Sequence, residues 1–223
     1  LHYRARTALL TSIEFDHADI FRDMPHYESA FENFVSTMPK DGLLAVSASY
    51  PRAVEMARRL AKAKVVTYAV NGQADYRADN ERFSAEGTRF RIHAPGKPRK
   101  KDVLLPMSGY HNIENAAGVY AAARSLGLSH EQIAHGFETF KGVKRRQEER
   151  GEIGGVLVID DFAHHPTAVS ETLEGIRQRY PERRLWAVFE PRSNTSRRNI
   201  HQAEYVDALA IADLATIREP EPH

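Results

Sequence analysis

Residues 158–167 read Val-Ile-Asp-Asp-Phe-Ala-His-His-Pro-Thr, which is denser in titratable groups than the start of a helix requires. An apolar run ends in two carboxylates, and a segment with helical spacing follows the histidines and the proline. Such a junction is the usual place for a site in an open α/β sheet. Asp161 could accept hydrogen bonds from a ribose or a metal-bound water, and His164 or His165 could bind an anion or transfer a proton. The alternative is a structural turn in which one aspartate caps the helix and the proline occupies its first turn.

Two more apolar runs end in polar residues. Residues 7–13 lead into Glu-Phe-Asp-His-Ala-Asp at 14–19. These side chains could form a corner for magnesium, which prefers oxygen ligands and tolerates an imidazole beside them. A polar loop with a helix cap is the alternative. Residues 185–189 end in Glu-Pro-Arg-Ser-Asn-Thr-Ser-Arg at 190–197, which makes a third polar strand terminus.

An alanine-rich helix begins near residue 110 with His111, Asn112 and Asn115 at its start. The two amides could pair with an adenine edge, and the imidazole could stack or form a hydrogen bond. N-capping by Asn112 is the structural alternative. Further along, a Lys-Arg-Arg run at 144–146 follows a glycine and precedes a strand, so it could clamp a phosphate. Most such runs are solvated surface.

The elements that must position these residues follow from apolar periodicity. Strands and helices alternate through the first 70 residues, which implies parallel βαβ units with right-handed crossovers in a doubly wound sheet. Residues 75–92 alternate with a period of two around Glu86-Gly87, as in an antiparallel hairpin at the sheet edge. After Gln147 the strand–helix pattern restarts, which predicts a second domain. The predicted strands are 7–13, 43–47, 65–70, 156–159, 185–189 and one from 214. The predicted helices are 27–38, 51–60, one from near 110 to about 126, 129–140, 166–179 and 200–209.

Composition limits the class of protein. The chain has 223 residues, 42% of them hydrophobic and 27% charged, which fits a globular protein of one to two domains. A net charge of +1 gives no global field for nucleic acid or a membrane surface, and no apolar run is long enough to span a bilayer. The absence of cysteine excludes thiolate chemistry and mildly favours a reducing, cytoplasmic compartment. Because the first residue is Leu1, we expect the chain to be a piece of a longer protein.

The chain resembles the Mur ligase family, which joins amino acids or peptides to UDP-N-acetylmuramic acid at the expense of ATP. The resemblance rests on five motifs in order: Ile-Glu-Phe-Asp-His-Ala-Asp at 13–19, His-Asn-Ile-Glu-Asn-Ala at 111–116, Gly-Val-Lys-Arg-Arg at 142–146, Asp-Asp-Phe-Ala-His-His-Pro-Thr at 160–167 and Glu-Pro-Arg-Ser-Asn-Thr at 190–195. The fourth motif is similar to the muramate:L-alanine ligases. The runs at 14–21, 141–146 and 190–195 more closely resemble murein peptide ligases, which join UDP-N-acetylmuramate to the recovered tripeptide L-alanyl-γ-D-glutamyl-meso-diaminopimelate.

The resemblance implies an α/β fold with two partial domains. Residues 1–146 would belong to the parallel-sheet central ATPase-type domain, and residues 147–223 to a Rossmann-like carboxy-terminal domain. ATP and magnesium would be the cofactors, with UDP-N-acetylmuramate and the murein tripeptide as small-molecule partners. In the family, the substrate carboxylate attacks the γ-phosphate to give an acyl phosphate, which the amine then displaces. Magnesium and arginine offset the charges of the anions that meet.

Individual residues take roles from the matching motifs. The resemblance implies adenine binding by His111, Asn112 and Asn115, phosphate contact by Arg146, and ribose binding by Asp161.

The resemblance also implies that His17 binds magnesium. His164 and His165 would supply catalytic contacts to phosphate or substrate. The loop that holds the incoming amino compound would consist of Arg192, Ser193, Asn194 and Thr195.

Two features of the family pattern are absent from the sequence, and they bear on the activity of the 223-residue chain by itself. No GxxxxGK[ST] phosphate loop occurs in residues 1–223, and no lysine lies on the helix after the Asp-His motif. We therefore expect the chain by itself to bind ATP weakly and to turn over no substrate. The competing interpretations are a muramate:L-alanine ligase, a folylpolyglutamate synthase, a non-catalytic nucleotide- or muropeptide-binding module, and a metallohydrolase built on the two adjacent histidines. Adjacent histidines rarely bind one metal together.

Overall fold

A computed structural model describes residues 4–96, 101–192, 195–197 and 200–219 of the chain. Its first unit contains a six-stranded sheet with the strands in chain order. Strands β1 to β4 are mutually parallel, and β5 and β6 continue the sheet antiparallel. The strands are β1 (Thr7–Leu10), β2 (Leu43–Ser47), β3 (Lys64–Val70), β4 (Tyr76–Ser84), β5 (Gly87–His93) and β6 (Lys101–Leu105), and the helices of this unit are α1 (Met24–Thr37), α2 (Pro51–Leu60), α3 (Tyr110–Ser125) and α4 (His130–Glu138).

Helices cover both faces of the sheet, as the doubly wound prediction requires. All five residues of β2 are buried, because a parallel strand in the middle of such a sheet packs against helices on each side. Leu44 and Val46 belong to the apolar cluster formed with α1 and α2, whereas Leu43 and Ala45 belong to the cluster formed with α3 and α4. The period of two along β2 therefore divides its side chains between two cores.

The antiparallel hairpin predicted between residues 75 and 92 is confirmed as β4 and β5, which turn at Ala85 and Glu86. Its predicted position at the sheet edge is wrong, because β6 pairs with β5 and lies outside it. The short β6 run of Lys-Asp-Val-Leu-Leu carries too little alternation to mark a strand by itself. The basic run predicted at Lys97 to Lys101 as an exposed loop lies largely outside the described residues.

The two adjoining helices begin differently. Ser129 caps α4, and Gln132 completes the capping box that the sequence predicts. In contrast, α3 begins after Gly109, whose φ of +100° suits glycine, and no side chain caps it. N-capping by Asn112, the structural alternative for that residue, is therefore wrong. Asn112 lies within the first turn and donates from Nδ2 to the backbone oxygen of Ser108 at 2.7 Å.

The second unit contains β7 (Glu148–Ile153), β8 (Val156–Asp160), α5 (Pro166–Arg179), β9 (Trp186–Phe189), α6 (Gln202–Leu209) and β10 (Leu214–Ile217). The sequence did not predict β7, which forms an antiparallel hairpin with β8 through Gly154-Gly155. Strands β9 and β10 pair in parallel, and α5 and α6 pack on them around Val169, Leu173 and Ala208. No helix in the described part of the chain is long and apolar enough to cross a membrane.

Candidate functional site

The polar ends of β1 and β8 meet where the two units adjoin. Glu14 follows β1, and His165 and Thr167 stand at the start of α5. The Thr167 hydroxyl donates to Glu14 Oε2 at 2.5 Å, and the Tyr50 hydroxyl donates to Glu14 Oε1 at the same distance. His165 Nδ1 lies 3.7 Å from Glu14 Oε2. One carboxylate of the first unit thus anchors the His-His-Pro-Thr turn of the second.

Asp16 and His17 form the corner for which the sequence predicts magnesium. His17 adopts a φ of +55°, and Asp16 Oδ1 accepts its backbone N–H at 2.7 Å. Burial opposes ionisation of Asp16. Hydrogen bonds from His17 and the Thr195 hydroxyl, with nearby imidazoles, outweigh burial and lower the pKa of Asp16. The side chain of His164 approaches from the second unit, with Nε2 3.8 Å from Asp16 Oδ2.

These residues form at most part of a metal shell. Within the described residues, no three histidine, aspartate or glutamate side chains are placed to hold one metal ion together. Both oxygens of Glu14 accept hydroxyl hydrogen bonds, and one oxygen of Asp16 accepts a backbone N–H. The magnesium role of His17 therefore stays a prediction.

The predicted nucleotide residues His111, Arg146 and Asp161 lie close enough to interact. Burial lowers the pKa of His111 to about 4, with Asp161 acting in the opposite direction and Arg146 in the same direction as burial. His111 is therefore neutral at pH 7. Its Nδ1 atom is buried and has no hydrogen-bond partner in the described part of the chain. A neutral imidazole that lines a cleft can contact an adenine or ribose group there.

Asp161 is engaged on both oxygens. Oδ2 accepts the backbone N–H of Gln147 at 2.8 Å, and Oδ1 accepts that of Ala163 at 2.7 Å. A carboxylate oxygen has a second lone pair, so a ribose hydroxyl can still donate to either atom. The guanidinium of Arg146 is exposed and lies 5.9 Å from the centre of the Phe162 ring.

Two clefts open beside this junction, with volumes of about 310 and 270 Å³. Both are lined by Tyr50, His111, Glu114 and Glu171, and the smaller one also by Asn115. Burial, with repulsion from nearby glutamates, raises the pKa of Glu171 to about 7.

Sequence reasoning did not single out Glu114 and Glu171. Glu114 accepts hydrogen bonds from the hydroxyls of Ser47 and Ser49, at 3.0 and 2.5 Å. Each glutamate lies on a helix, where a single carboxylate is most often a solvated surface residue. For Glu114, its position inside the His-Asn-Ile-Glu-Asn run was the available signal.

The loop predicted to hold the amino compound is only partly described. Ser193 and Asn194 lie outside the described residues. Arg192 is exposed and pairs with Glu190 at 2.6 Å. Thr195 is buried and accepts the backbone N–H of Ala18 at 3.4 Å. The structure thus brings Thr195 to the Asp16–His17 corner.

Comparison with known proteins gives two family matches. The Mur ligase middle domain matches residues 2–123, and the Mur ligase, glutamate ligase domain matches residues 145–223. A UDP-N-acetylmuramate--L-alanine ligase from Phenylobacterium zucineum is 37% identical over 208 residues, which are 91% of this chain and 43% of that protein. A UDP-N-acetylmuramate--L-alanyl-gamma-D-glutamyl-meso-2,6-diaminoheptandioate ligase from Haemophilus influenzae is 34% identical and is matched over 99% of this chain and 48% of its own length.

Two solved structures of Mur-type ligases are similar in fold to this chain. A murein peptide ligase from Psychrobacter arcticus superposes with a TM-score of 0.66 at 34% identity, over 97% of this chain and 44% of that chain. A MurF ligase from Thermotoga maritima in complex with ADP gives a TM-score of 0.79 at 16% identity, over 98% and 50% of the two chains, and shows the shared fold alone. The chain spans about half the length of the curated relatives it matches.

Proposed function

The chain belongs to the Mur ligase family of ATP-dependent peptidoglycan enzymes, and from this premise we propose that the protein carrying it joins UDP-N-acetylmuramate to the murein tripeptide. The observation that carries the proposal is the convergence at one junction of three motif segments. These are residues 14–17, the histidine pair at 164–165, and the start of α3. Their separate positions in the chain give no local structural reason for them to meet.

On the nucleotide side, ATP supplies the phosphoryl group that activates the muramate carboxylate. We assign the adenine to the start of α3, where His111 and Asn115 line the cleft. Asp161 would accept from the ribose, and the exposed guanidinium of Arg146 would contact the phosphates. His111 stays uncharged through this, because its pKa is lowered to about 4.

On the substrate side, His164 and His165 stand between the two units, where phosphate and carboxylate groups would meet. Burial lowers the pKa of His165, so at neutral pH it can accept a proton or a hydrogen bond. We place His17 beside any magnesium carried by the nucleotide, as one ligand among oxygens that the protein does not supply alone.

Acceptor specificity is the finer part of the proposal. Arg192 and Arg197 are exposed in the loop after β9, and an acceptor that ends in diaminopimelate carries carboxylates for guanidinium groups to bind. Free L-alanine offers one carboxylate and needs fewer contacts. The L-alanine ligase is the second candidate, because relatives with that name are 37% identical to this chain.

The test is phosphate release by the full-length protein with ATP, magnesium and UDP-N-acetylmuramate, with free L-alanine compared with the tripeptide as acceptor. We expect preference for the tripeptide, and an Arg192→Ala variant should lose part of that preference. Arg58→Ala, an exposed arginine on α2, is the matched control. Preference for L-alanine would move the protein to the biosynthetic branch, and release with neither acceptor would favour a nucleotide- or muropeptide-binding module.

For the 223-residue chain alone, we propose weak ATP binding and no turnover, because residues 1–223 contain no phosphate-binding loop. We further propose a domain boundary at residues 146 and 147 and a cytoplasmic location, where the nucleotide substrates are made. Efficient ATP-dependent amide formation by the isolated chain would contradict the first of these.

A further inference from the structure

Gln147, at the junction of the two units, forms hydrogen bonds with residues of both. Its side-chain Nε2 donates to the backbone oxygen of Ser108 at 3.1 Å, and its Oε1 accepts the backbone N–H of Ser108 at 3.3 Å. Its own backbone N–H donates to Asp161 at 2.8 Å. The amide of Gln147 thus pairs with Ser108 in both directions, as one strand residue pairs with another.

The backbone of Gln147 is held in a costly conformation for this purpose. Its φ of +48° lies in the left-handed region, which costs a residue with a Cβ about 1 kcal/mol. Ser108 is fully buried, directly before the Gly109 that begins α3. The paired residue is therefore part of the segment that sets the direction of the helix carrying His111.

Helix α5 packs against the same pair of residues, Gln147 and Ser108. A Cβ atom on Gly175 of α5 would lie 3.0 Å from Gln147 Nε2, 3.0 Å from the Ser108 oxygen and 3.1 Å from Gly109 Cα. Nine in ten real Cβ contacts are longer than these, so a side chain at residue 175 would force its neighbours to shift by a few tenths of an ångström. Glycine thus allows α5 to pack closely here. Helix α5, Gln147 and the segment before α3 form one closely packed unit.

We propose that Gln147 is a positioning residue that fixes the start of α3 relative to Asp161 and α5. Its side chain sets the distance between the two units, and its backbone N–H sets the orientation of the Asp161 carboxylate. An effect of Gln147 on nucleotide binding rests on the proposed function, since His111 and Asp161 are assigned there to the adenine and the ribose. The structural part of the proposal stands on the contacts alone.

The test uses the variant Gln147→Glu, which keeps the shape of the side chain. A protonated carboxyl can donate to the Ser108 oxygen and accept from its N–H as the amide does, whereas an ionised carboxylate can only accept. Partial burial and the adjacent Ser108 oxygen should raise the pKa of the introduced carboxyl above its ordinary value of about 4.3. The variant should therefore keep both bonds to Ser108 at pH 5 and lose the bond to the Ser108 oxygen at pH 8. A residue needed only for packing would give no such pH dependence.

The distance between the units can be measured directly, because the chain contains no cysteine. Spin labels at two introduced cysteines, Glu55→Cys on α2 and Asp207→Cys on α6, report the separation by double electron–electron resonance; both positions are exposed. The unsubstituted Gln147 protein should give one narrow distribution at both pH values. Gln147→Glu should match it at pH 5 and be broader or shifted at pH 8.

A variant of Gly175 tests the packing of α5 against Ser108 and Gln147, and a variant of Gly136 is its control. Gly175→Ala should broaden the distribution at both pH values, because the added methyl separates α5 from Ser108 and Gln147. Gly136→Ala on α4 is the matched control, since a Cβ there meets no atom within 4 Å. Unchanged distributions for both Gln147→Glu at pH 8 and Gly175→Ala would overturn the proposal.

Titration with ATP and magnesium separates this inference from the proposed function. Gln147→Glu should weaken ATP binding by about tenfold at pH 8 and by little at pH 5. At pH 8 the relative position of the units that permits ATP binding becomes a minor population. Failure of the unsubstituted full-length protein to bind ATP would contradict the proposed function, and the distance measurements would still decide the role of Gln147. If the unsubstituted protein and Gln147→Glu bind ATP equally at pH 8 while their spin-label distances differ, Gln147 has no effect on nucleotide binding.

Discussion

The glutamate on α5 that faces the cleft gives the sharpest prediction about stability. Burial of Glu171, followed by repulsion from Glu14, Glu114 and Glu174, raises the pKa of its carboxyl from 4.5 to about 7. Between these pH values the folded protein binds a proton that the unfolded chain does not bind. The resulting stability is fully present below pH 4.5 and is lost as the pH rises through about 7.

The size of the effect follows from the same two values. A difference from 4.5 to about 7 corresponds to about 3 kcal/mol, at about 1.4 kcal/mol per pH unit. Glu171 is partly exposed, and solvent screening reduces this to about 1 kcal/mol. We therefore expect Glu171→Gln to stabilise the protein by about 1 kcal/mol at pH 8.5, which is roughly 2–4 °C in melting temperature for a chain of this size. At pH 5.5, only one pH unit above 4.5, the gain should be less than half of this.

Urea unfolding at pH 5.5 and 8.5, followed by circular dichroism, measures the difference. Glu182→Gln is the control, because Glu182 is exposed after α5 and its removal should leave the pH dependence unchanged. The gain at pH 8.5 should shrink in 1 M salt, since screening weakens repulsion across the cleft. If Glu171→Gln is no more stable than the parent at pH 8.5, then Glu171 does not face the other carboxylates as the structure shows.

Substitutions at three further positions test packing and the contact between the units, each by urea unfolding at pH 7. Gly118→Ala on α3 places a methyl 2.8 Å from the Tyr68 ring, and the overpacking should cost about 1–3 kcal/mol; a gain in stability would contradict the close approach. Gly136→Ala enters open space and should stabilise α4 by about 0.5–1 kcal/mol, and a loss would show that the site is occupied. Thr167→Val leaves Glu14 without one hydroxyl and should cost about 1–2 kcal/mol, whereas Thr167→Ser should retain most of the stability. Equal losses for the two Thr167 variants would mean that the hydrogen bond contributes nothing.

The regular elements could be predicted wherever local signals agree. The helix at 51–60 is observed at the predicted residues, because Pro51 suits a first turn and apolar residues follow at helical spacing. The α4 capping box was readable because Ser129 and Gln132 are three residues apart. In both cases the determining contacts lie within one turn of the helix.

Strand β7 could not be predicted, since its sequence Glu-Glu-Arg-Gly-Glu-Ile has no apolar face. It forms because β8 provides backbone partners through the tight Gly154-Gly155 turn. Pairing of this kind depends on a neighbouring strand and leaves no mark on the hydrophobic pattern. The same reason explains why β6 was missed at the edge of the first sheet.

For the candidate site, the sequence indicated which segments carry chemistry but not which atoms meet. The motifs contained Glu14 and Asp161, yet neither the hydroxyl partners of Glu14 nor the backbone donors of Asp161 are local in sequence. Gln147 read as a boundary residue, and its pairing with Ser108 depends on how two units pack. Contacts between units follow from the tertiary arrangement, which periodicity does not encode.

The charges at the junction have a consequence for how the units hold together. His111, with a pKa of about 4, loses folded-state stability as the pH falls below 6.5, because the unfolded chain then binds the proton. Glu171 acts in the opposite direction over the same range, so the two effects partly cancel between pH 4.5 and 6.5. The histidine–carboxylate contacts between the units are 3.7 and 3.8 Å long, whereas the hydroxyl of Thr167, a neutral donor, lies 2.5 Å from Glu14. Hydrogen bonds from neutral donors, more than ion pairs, therefore join the units, and their arrangement should respond little to salt.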